Sequence, residues 1–224
     1  TYGTAATADI SISDVSLENL GSTFTVRFNG SGKQDLKLNV PGMHNVLNAT
    51  AAFAASRYLG VVPEVIAAAL ETFQGVERRF QVKSRDGITV IDDYAHHPTE
   101  IRATLAAAKS GNFGRLLVIF QPHRYTRTSH LFDDFARAFN QADVALLLDI
   151  YPAGESPIEG VTTPALIEKI RSFGHKNIVY APNFEMIESY VLAHAKPGDA
   201  VIVMGAGSVT KLSDILSEKL SRTA

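Results

Sequence analysis

The sequence predicts an α/β protein whose larger part is a doubly wound, mostly parallel sheet. In the second part of the 224-residue chain, short apolar runs alternate with helical patterns of about a dozen residues, which is typical of parallel strands covered by helices. The runs at 116–120 and 200–204 are apolar throughout, as expected for strands buried on both faces. A smaller α/β segment is expected to precede this sheet.

The first part of the chain begins with a hairpin pattern and continues with two helices. Polar and apolar residues alternate at 24–28 and 36–40, with a glycine-rich turn between them. An alanine-rich pattern then predicts a helix over 45–58 that is apolar on nearly every side and is expected to be buried. A second helix is predicted over 63–73, because Pro63 suits a first helical turn.

A domain boundary is predicted where the helical pattern breaks, at Gln74-Gly75-Val76-Glu77, which gives domains 1–77 and 78–224. In the second domain, the turn Arg85-Asp86-Gly87 makes the first two strands the expected antiparallel exception. The predicted strands are 80–84, 88–92, 116–120, 144–149, 177–180 and 200–204, and the predicted helices are 98–109, 129–140, 163–173, 184–195 and 208–220.

Composition excludes several classes of function. A formal net charge of −2 argues against nucleic-acid binding, and the absence of cysteine removes disulfides and thiolate metal sites. No run of apolar residues is long enough for a membrane span, and no secretion signal precedes the first strand, so we expect a cytoplasmic protein. Because the chain starts at Thr1 without an initiator methionine, we expect a fragment or a processed chain.

The loop Gln121-Pro122-His123-Arg124-Tyr125-Thr126-Arg127-Thr128 is the strongest candidate site. It follows a predicted buried strand, and ligands of open α/β sheets bind at the carboxyl ends of strands. Arg124 and Arg127 are one helical turn apart, so both guanidinium groups could converge on one carboxylate or phosphate, with His123 beside them. The alternative is a surface loop whose arginines pair with Asp133 and Asp134.

A second candidate is the segment 92–100, which also joins a strand end to a helix. Asp93 could accept hydrogen bonds from ribose hydroxyls, and His96 could face the crevice at the strand ends. Asp92 points to the other side of the strand and His97 lies at the helix start, so we expect both to be structural. Adjacent histidines lack the spacing of a metal site, and no metal ligands are assigned.

Two further stretches could contact a nucleotide. Asn45 and Asn48 are three residues apart in the first turn of a helix, where their amides could read a base edge. The alternative is that Asn45 caps the helix and Asn48 satisfies a neighbouring loop. Arg78-Arg79 could meet a phosphate or be solvated. The turn Gly205-Ala206-Gly207-Ser208 is half of a dinucleotide fingerprint and is assigned no ligand, and no G-x-x-x-x-G-K-[ST] phosphate loop occurs in the chain.

Taken together, these motifs resemble the Mur ligase family, in the family's order and spacing. The stretches that carry the resemblance are 41–48, Arg78-Arg79-Phe80, 92–100, 121–128 and Asp149-Ile150-Tyr151-Pro152-Ala153-Gly154-Glu155. The resemblance implies that residues 1–77 are the C-terminal part of a central ATPase domain and that 78–224 are a Rossmann-like C-terminal domain. The histidine and arginine loop is similar to that of the branch that adds L-alanine.

The resemblance also implies ATP-dependent amide formation between L-alanine and UDP-N-acetylmuramate in peptidoglycan synthesis, with Mg²⁺ held mostly outside this chain. The nucleotide-binding positions that it implies are His44, Asn45, Asn48, Arg79 and Asp93. The L-alanine and acyl-phosphate positions that it implies are Tyr94, His96, His123, Arg124 and Arg127, of which the last four are the catalytic candidates. The alternatives are the related ligase that attaches a preformed peptide, and a non-catalytic nucleotide- or anion-binding module.

Overall fold

A computed structural model describes residues 1–28 and 30–221, which form two compact units. The first unit comprises Thr1–Gly75 together with Ala106–Gly111. The second begins with Val76–Leu105 and continues from Asn112 onward. Each unit has its own hydrophobic core.

The first unit contains a four-stranded sheet in the order β1-β2-β3-β4. The pairs β2–β3 and β3–β4 are antiparallel, which confirms the predicted hairpin, whereas β1 runs parallel to β2. Strand β2 was not predicted, because its apolar residues alternate weakly and a bulge between Ser13 and Ser16 shifts their register. The strands are β1 (Tyr2–Gly3), β2 (Ile10–Glu18), β3 (Gly21–Phe28) and β4 (Gly32–Leu38).

Two helices complete this unit, α1 (Met43–Tyr58) and α2 (Pro63–Thr72). The prediction that the first is buried on nearly every side is wrong, because only one stripe of it is buried. Its buried residues are Val46, Ala49, Thr50 and Phe53. Tyr58, at its end, is 92% exposed. Alanine made the opposite face look apolar although it carries little surface to bury.

The second unit is built on a six-stranded sheet in the order β5-β6-β10-β7-β8-β9. Only β5 is antiparallel to its neighbour, and the other pairs are parallel, which confirms the predicted doubly wound sheet and its exception. The strands are β5 (Gln81–Ser84), β6 (Thr89–Asp93), β7 (Leu116–Phe120), β8 (Val144–Leu147), β9 (Ile178–Tyr180) and β10 (Ala200–Met204).

The helices of the second unit follow the strands as predicted, with one difference. A single helix was predicted over 129–140, but the chain becomes helical earlier, at Tyr125, and the helix breaks at Leu131, whose φ of −112° and ψ of 22° are not helical. The helices are α3 (Pro98–Lys109), α4 (Tyr125–His130), α5 (Phe132–Ala136), α6 (Thr163–Ser172), α7 (Phe184–His194) and α8 (Thr210–Ser221). Of the helices in 1–28 and 30–221, none combines the length and the apolar character that crossing a bilayer requires.

Strand β10 is the centre of this sheet, because it pairs with β6 on one side and with β7 on the other. All five of its residues are buried, as expected for an inner strand of a parallel sheet. In this register Met204 lies opposite both Asp93 and Phe120. The loops that leave β6, β7, β8 and β10 therefore start along one edge, which we call the carboxyl edge.

Candidate active site

The loop after β6 brings Tyr94 and His96 to the carboxyl edge and fixes them through Glu100. The backbone N–H groups of His96 and His97 donate to Glu100 Oε2 at 3.0 and 3.2 Å, which closes the first turn of α3. His96 Nδ1 lies 2.9 Å from the carbonyl oxygen of Tyr94 and 3.3 Å from Glu100 Oε2. The imidazole is thereby held by its Nδ1, and its Nε2 is the nitrogen that remains for chemistry.

The loop after β7 carries His123, Arg124 and Arg127. Arg124 is the residue before α4, and Arg127 lies in the first turn of this helix. Within residues 1–28 and 30–221, no carboxylate oxygen lies within the 4.0 Å of an ion pair from either guanidinium group. The predicted alternative partner Asp133 pairs instead with Lys169 at 2.8 Å. The two arginines therefore present positive charge without an internal anion.

The rings of the two loops meet at this edge. The centroids of His96 and His123 are 6.3 Å apart, and Tyr94 packs edge-on against His96 at 5.1 Å. Arg127 Nη1 lies 3.5 Å from Nδ1 of His123 and donates to its carbonyl oxygen at 3.4 Å. The structure thus brings together Tyr94, His96, His123 and Arg127, four of the five residues expected on the amino-acid side.

The pKa of His123 is lowered from its usual 6.5. Burial is the largest cause, followed by the charge of Arg127, the neighbouring His96 and the charge of Arg124. The imidazole is therefore neutral at pH 7. A neutral imidazole beside two guanidinium groups can accept a proton while the arginines hold an anion.

Asp93 is placed differently from its sequence-based expectation. It is only 5% exposed, and its carboxylate accepts bonds from the N–H of Phe80 at 2.9 Å and of Ala95 at 2.7 Å and from the Thr104 hydroxyl at 3.1 Å. Burial raises the pKa of Asp93 despite these donors. A contact with ribose therefore stays a prediction, and it would require one of these bonds to open.

Arg78 and Arg79 have separate environments. Arg78 donates to the carbonyl oxygen of Gly205 at 2.6 Å and lies 3.5 Å from buried Asp92, which also accepts from the Thr210 hydroxyl at 2.7 Å. The side chain of Arg78 is therefore held by contacts within the protein. The side chain of Arg79 is half exposed, 3.6 Å from Glu100, and only this arginine of the pair is placed to reach a ligand.

Asn45 and Asn48 lie together in the first unit, on the wall of a cavity of about 410 Å³ between α1 and α2. The walls are mostly apolar, and Asn45 Nδ2 donates to the carbonyl oxygen of Pro41 at 2.8 Å. The capping alternative for Asn45 is wrong, because the residue before α1 is Gly42. His44 is exposed on the same turn. A mostly apolar cavity with two amides on its wall could accommodate a heteroaromatic ring.

The structure adds residues from the loop after β8 that had been given no role. The ring of Tyr151 stacks on His123 with centroids 5.4 Å apart and planes at 15°. Glu155 accepts hydrogen bonds from Thr126. Their sequence signal is their position after a strand, in one of the stretches that carry the family resemblance.

The turn after β10 reaches the same edge. A Cβ on Gly207 would lie 3.2 Å from Tyr151 Cγ and 3.2 Å from Gln121 Oε1, so only glycine leaves these groups in place. The turn therefore contributes to packing at the site. In the described part of the chain, no three or more histidine or acidic side chains are grouped so that they could hold a metal ion.

The doubly wound sheet and its cationic, histidine-bearing carboxyl edge place this unit in the class of open α/β domains, in which ligands bind where the strands end. Residues 78–207 match the domain described as "Mur ligase, glutamate ligase domain". The chain belongs to the Mur ligase family.

Individual proteins are similar to this chain over nearly its whole length. The UDP-N-acetylmuramate–L-alanine ligases of Solibacter usitatus and Geotalea daltonii are 49% and 46% identical to it, in both cases over 98% of the chain but only 47% and 48% of their own length. The crystal structure of UDP-N-acetylmuramate-alanine ligase from Thermotoga maritima superposes with a TM-score of 0.84 at 30% identity, over 100% of this chain and 48% of that one. The chain thus spans about half the length of the curated relatives that it matches.

Proposed function

We propose that this chain is part of an ATP-dependent ligase that joins L-alanine to UDP-N-acetylmuramate in peptidoglycan precursor synthesis. The observation that carries the proposal is the pair of arginines without internal anions, Arg124 and Arg127, beside two imidazoles whose centroids are 6.3 Å apart. An amino acid offers a carboxylate for the arginines and an amine that must lose a proton to an imidazole. The names of the curated relatives support the choice of L-alanine.

In the proposed reaction, a carboxylate oxygen of UDP-N-acetylmuramate attacks the γ-phosphorus of ATP, and ADP leaves. The amine of L-alanine then attacks the acyl carbon, the C–O bond to phosphate breaks, and inorganic phosphate leaves. Arg124 and Arg127 hold the carboxylate of L-alanine, Tyr94 lies beside it, and His123 or His96 takes the proton of the amine. The lowered pKa of His123 favours the neutral form that this step needs.

For the nucleotide, we propose that adenine enters the cavity walled by Asn45 and Asn48 and that His44, on the same helical turn, contributes to its binding. Arg79 is the proposed phosphate contact, and Asp93 the proposed ribose contact. Mg²⁺ is expected to accompany ATP, held mainly by phosphate oxygens, and no ligand for it is assigned on this chain. Because the reaction consumes ATP, we place it in the cytoplasm.

We propose that residues 1–77 are the end of the central ATPase domain and that 78–224 are the whole C-terminal domain. On this proposal, the phosphate loop and the UDP-sugar site belong to the half of the relatives that this chain does not cover. The chain alone is then expected to bind nucleotide and L-alanine weakly and to form no product.

The proposal is tested by steady-state kinetics in a full-length ligase that carries this sequence. Arg124→Ala and Arg127→Ala should each raise KM for L-alanine by about tenfold or more, since each removes a charge-assisted contact to a carboxylate. KM for ATP should change less than about twofold. Equal effects on both substrates would contradict the assignment of this loop to the amino acid.

The same full-length protein separates the two alternatives. A ligase that attaches a preformed peptide would turn over a tripeptide in preference to L-alanine, and the murein peptide ligase of Psychrobacter arcticus, which superposes with a TM-score of 0.68 at 28% identity, makes this test worthwhile. A non-catalytic module would bind nucleotide without forming product from either acceptor. The expected result is turnover of L-alanine.

A further inference from the structure

We propose that Glu155 is a positioning residue for the acceptor site, which holds Arg124 and Arg127 in place without contacting the substrate. The inference rests on the proposed function of these two arginines. It assigns a role to the loop that leaves β8, residues 148–155, which the function proposed above does not use.

The loop after β8 is tied to the loop after β7 by backbone hydrogen bonds. The N–H of Tyr151 donates to the carbonyl oxygen of Pro122, and the N–H of Arg124 donates to the carbonyl oxygen of Tyr151, both at 2.8 Å. These bonds form a short parallel bridge between His123 and Tyr151, past the ends of the two strands. The stacked rings of His123 and Tyr151 close the same contact from the side.

Glu155 makes the second connection between the two loops, and each of its carboxylate oxygens accepts a hydrogen bond from Thr126. Glu155 Oε2 accepts from the N–H of Thr126 at 2.9 Å, and Oε1 accepts from the Thr126 hydroxyl at 2.7 Å. Thr126 lies between Arg124 and Arg127 in the first turn of α4. The carboxylate therefore fixes the backbone from which both guanidinium groups project.

The backbone of Arg124 needs such support. Its φ of 73° is a conformation that non-glycine residues rarely adopt, and its own side chain makes no cap hydrogen bond at the start of α4. The Tyr151 carbonyl holds the N–H of Arg124, and Glu155 holds the next turn. Strain that is maintained from a neighbouring loop is expected where side-chain direction matters.

Glu155 remains ionised at working pH. The N–H and hydroxyl of Thr126 lower the pKa of Glu155, and the charge of Arg124 lowers it further. Glu155 is nevertheless not within ion-pair distance of Arg124 or Arg127 in the described structure, so neither guanidinium group is held by its carboxylate. The Glu155 carboxylate contacts Thr126 in α4, and the guanidinium groups of Arg124 and Arg127 remain available to a ligand.

The test uses matched variants in the full-length ligase. Glu155→Ala should raise KM for L-alanine about tenfold, the size of a hydrogen bond to a charged group, with KM for ATP changed less than about twofold. Thr126→Val, which loses only the hydroxyl, should raise KM for L-alanine about threefold, and Thr126→Ser should restore it. Glu159→Ala, at an exposed carboxylate four residues beyond Glu155, is the control and should match the wild type.

A double-mutant cycle gives the sharpest outcome. Because Glu155 and Thr126 act through one contact, Glu155→Ala combined with Thr126→Val should be no worse than Glu155→Ala alone. Additive effects, an equal effect of Glu159→Ala, or an equal rise in KM for ATP would each overturn the proposal. Glu155→Gln keeps an acceptor for the Thr126 N–H and serves if Glu155→Ala does not fold.

Hydrogen exchange of the Thr126 amide separates this proposal from the proposed function. Glu155→Ala should speed exchange at Thr126 about tenfold, and unchanged exchange would overturn the contact itself. If exchange speeds up but Arg124→Ala leaves KM for L-alanine unchanged, the assignment of the arginines to the amino acid is what fails. If Arg124→Ala raises KM and Glu155→Ala does not, the positioning role fails alone.

Discussion

At the scale of single residues, the protonation of His123 decides what the carboxyl edge can do. Burial lowers its pKa below 6.5, and the charge of Arg127, the neighbouring His96 and the charge of Arg124 lower it further. Removing one of those charges should move the pKa in a known direction, and the surrounding geometry should change little because Arg127 is only half-buried.

We therefore predict that Arg127→Leu raises the pKa of His123 towards 6.5, because one positive neighbour is lost while burial persists. The measurement is an NMR titration of the imidazole in this chain. Arg137→Leu, which removes a guanidinium that contacts Phe173 instead, is the control and should leave the titration unchanged. A midpoint above 6.5 in the wild type would contradict the described environment.

The lowered pKa of His123 also makes the free energy of unfolding depend on pH. The unfolded chain binds a proton at this histidine near 6.5, before the folded chain does, so the free energy of unfolding falls as pH drops from 6.5 towards the lower folded pKa. The contribution is complete above 6.5. Replacing His123 with Gln should flatten the dependence in that window, as measured by urea unfolding at a series of pH values. An unchanged dependence would contradict this account.

At the scale of elements, Asp93 connects the end of β6 to the start of β5 and to α3. Asp93→Ala would leave the N–H groups of Phe80 and Ala95 buried without acceptors, so we predict a loss of about 3 kcal/mol in the free energy of unfolding. Thr104→Val removes one neutral donor and should cost about 1 kcal/mol. Chemical denaturation of this chain measures both losses.

The control for this prediction is Asp149→Ala, at a carboxylate that is exposed and accepts from the Tyr180 hydroxyl. It should cost less than about 1 kcal/mol, since solvent replaces the lost partner. If Asp93→Ala is as mild as Asp149→Ala, Asp93 is not structural, and its proposed contact with ribose gains weight.

Elements with a local apolar pattern could be predicted from the sequence, and elements held by distant contacts could not. The strands 116–120 and 200–204 were found to the residue, because an inner parallel strand is apolar throughout and lies between turn residues. The start of α4 was missed, because Tyr125-Thr126-Arg127-Thr128 has no apolar periodicity and is held by Glu155 from another loop. Long-range contacts of this kind leave no local pattern.

The candidate site, like the elements, could be predicted from the sequence only in part. The sequence identified His96, His123 and Arg127 through their positions after strands, since strand ends are also where the sheet gathers side chains. It could not find that Asp93 is enclosed by donors, because burial at a strand end depends on the neighbouring element. It also could not foresee Tyr151 against His123, which only the register of the sheet brings together.

At the scale of the whole molecule, the proposed nucleotide and amino-acid contacts are distributed over two separate cores. We predict that Ala52→Phe, which fills the cavity walled by Asn45 and Asn48, raises KM for ATP about tenfold in the full-length ligase and leaves KM for L-alanine within about twofold. Arg127→Ala should show the opposite pattern.

The control for the cavity is Ala55→Phe, at an exposed position on α1 that is not part of its wall. It should leave both KM values near those of the wild type. If Ala52→Phe and Ala55→Phe act alike, the cavity is not the adenine site and the nucleotide must bind elsewhere.

The central position of β10 has a consequence for how the protein forms during synthesis. Residues 200–204 leave the ribosome after the other five strands of this sheet, yet β6 and β7 pair with them and not with each other. Until then, both strands present open edges, which are the surfaces through which nascent chains aggregate. His96 and His123 can therefore face each other only after almost all of this sequence has been translated, so the acceptor site is among the last features of the second unit to be assembled.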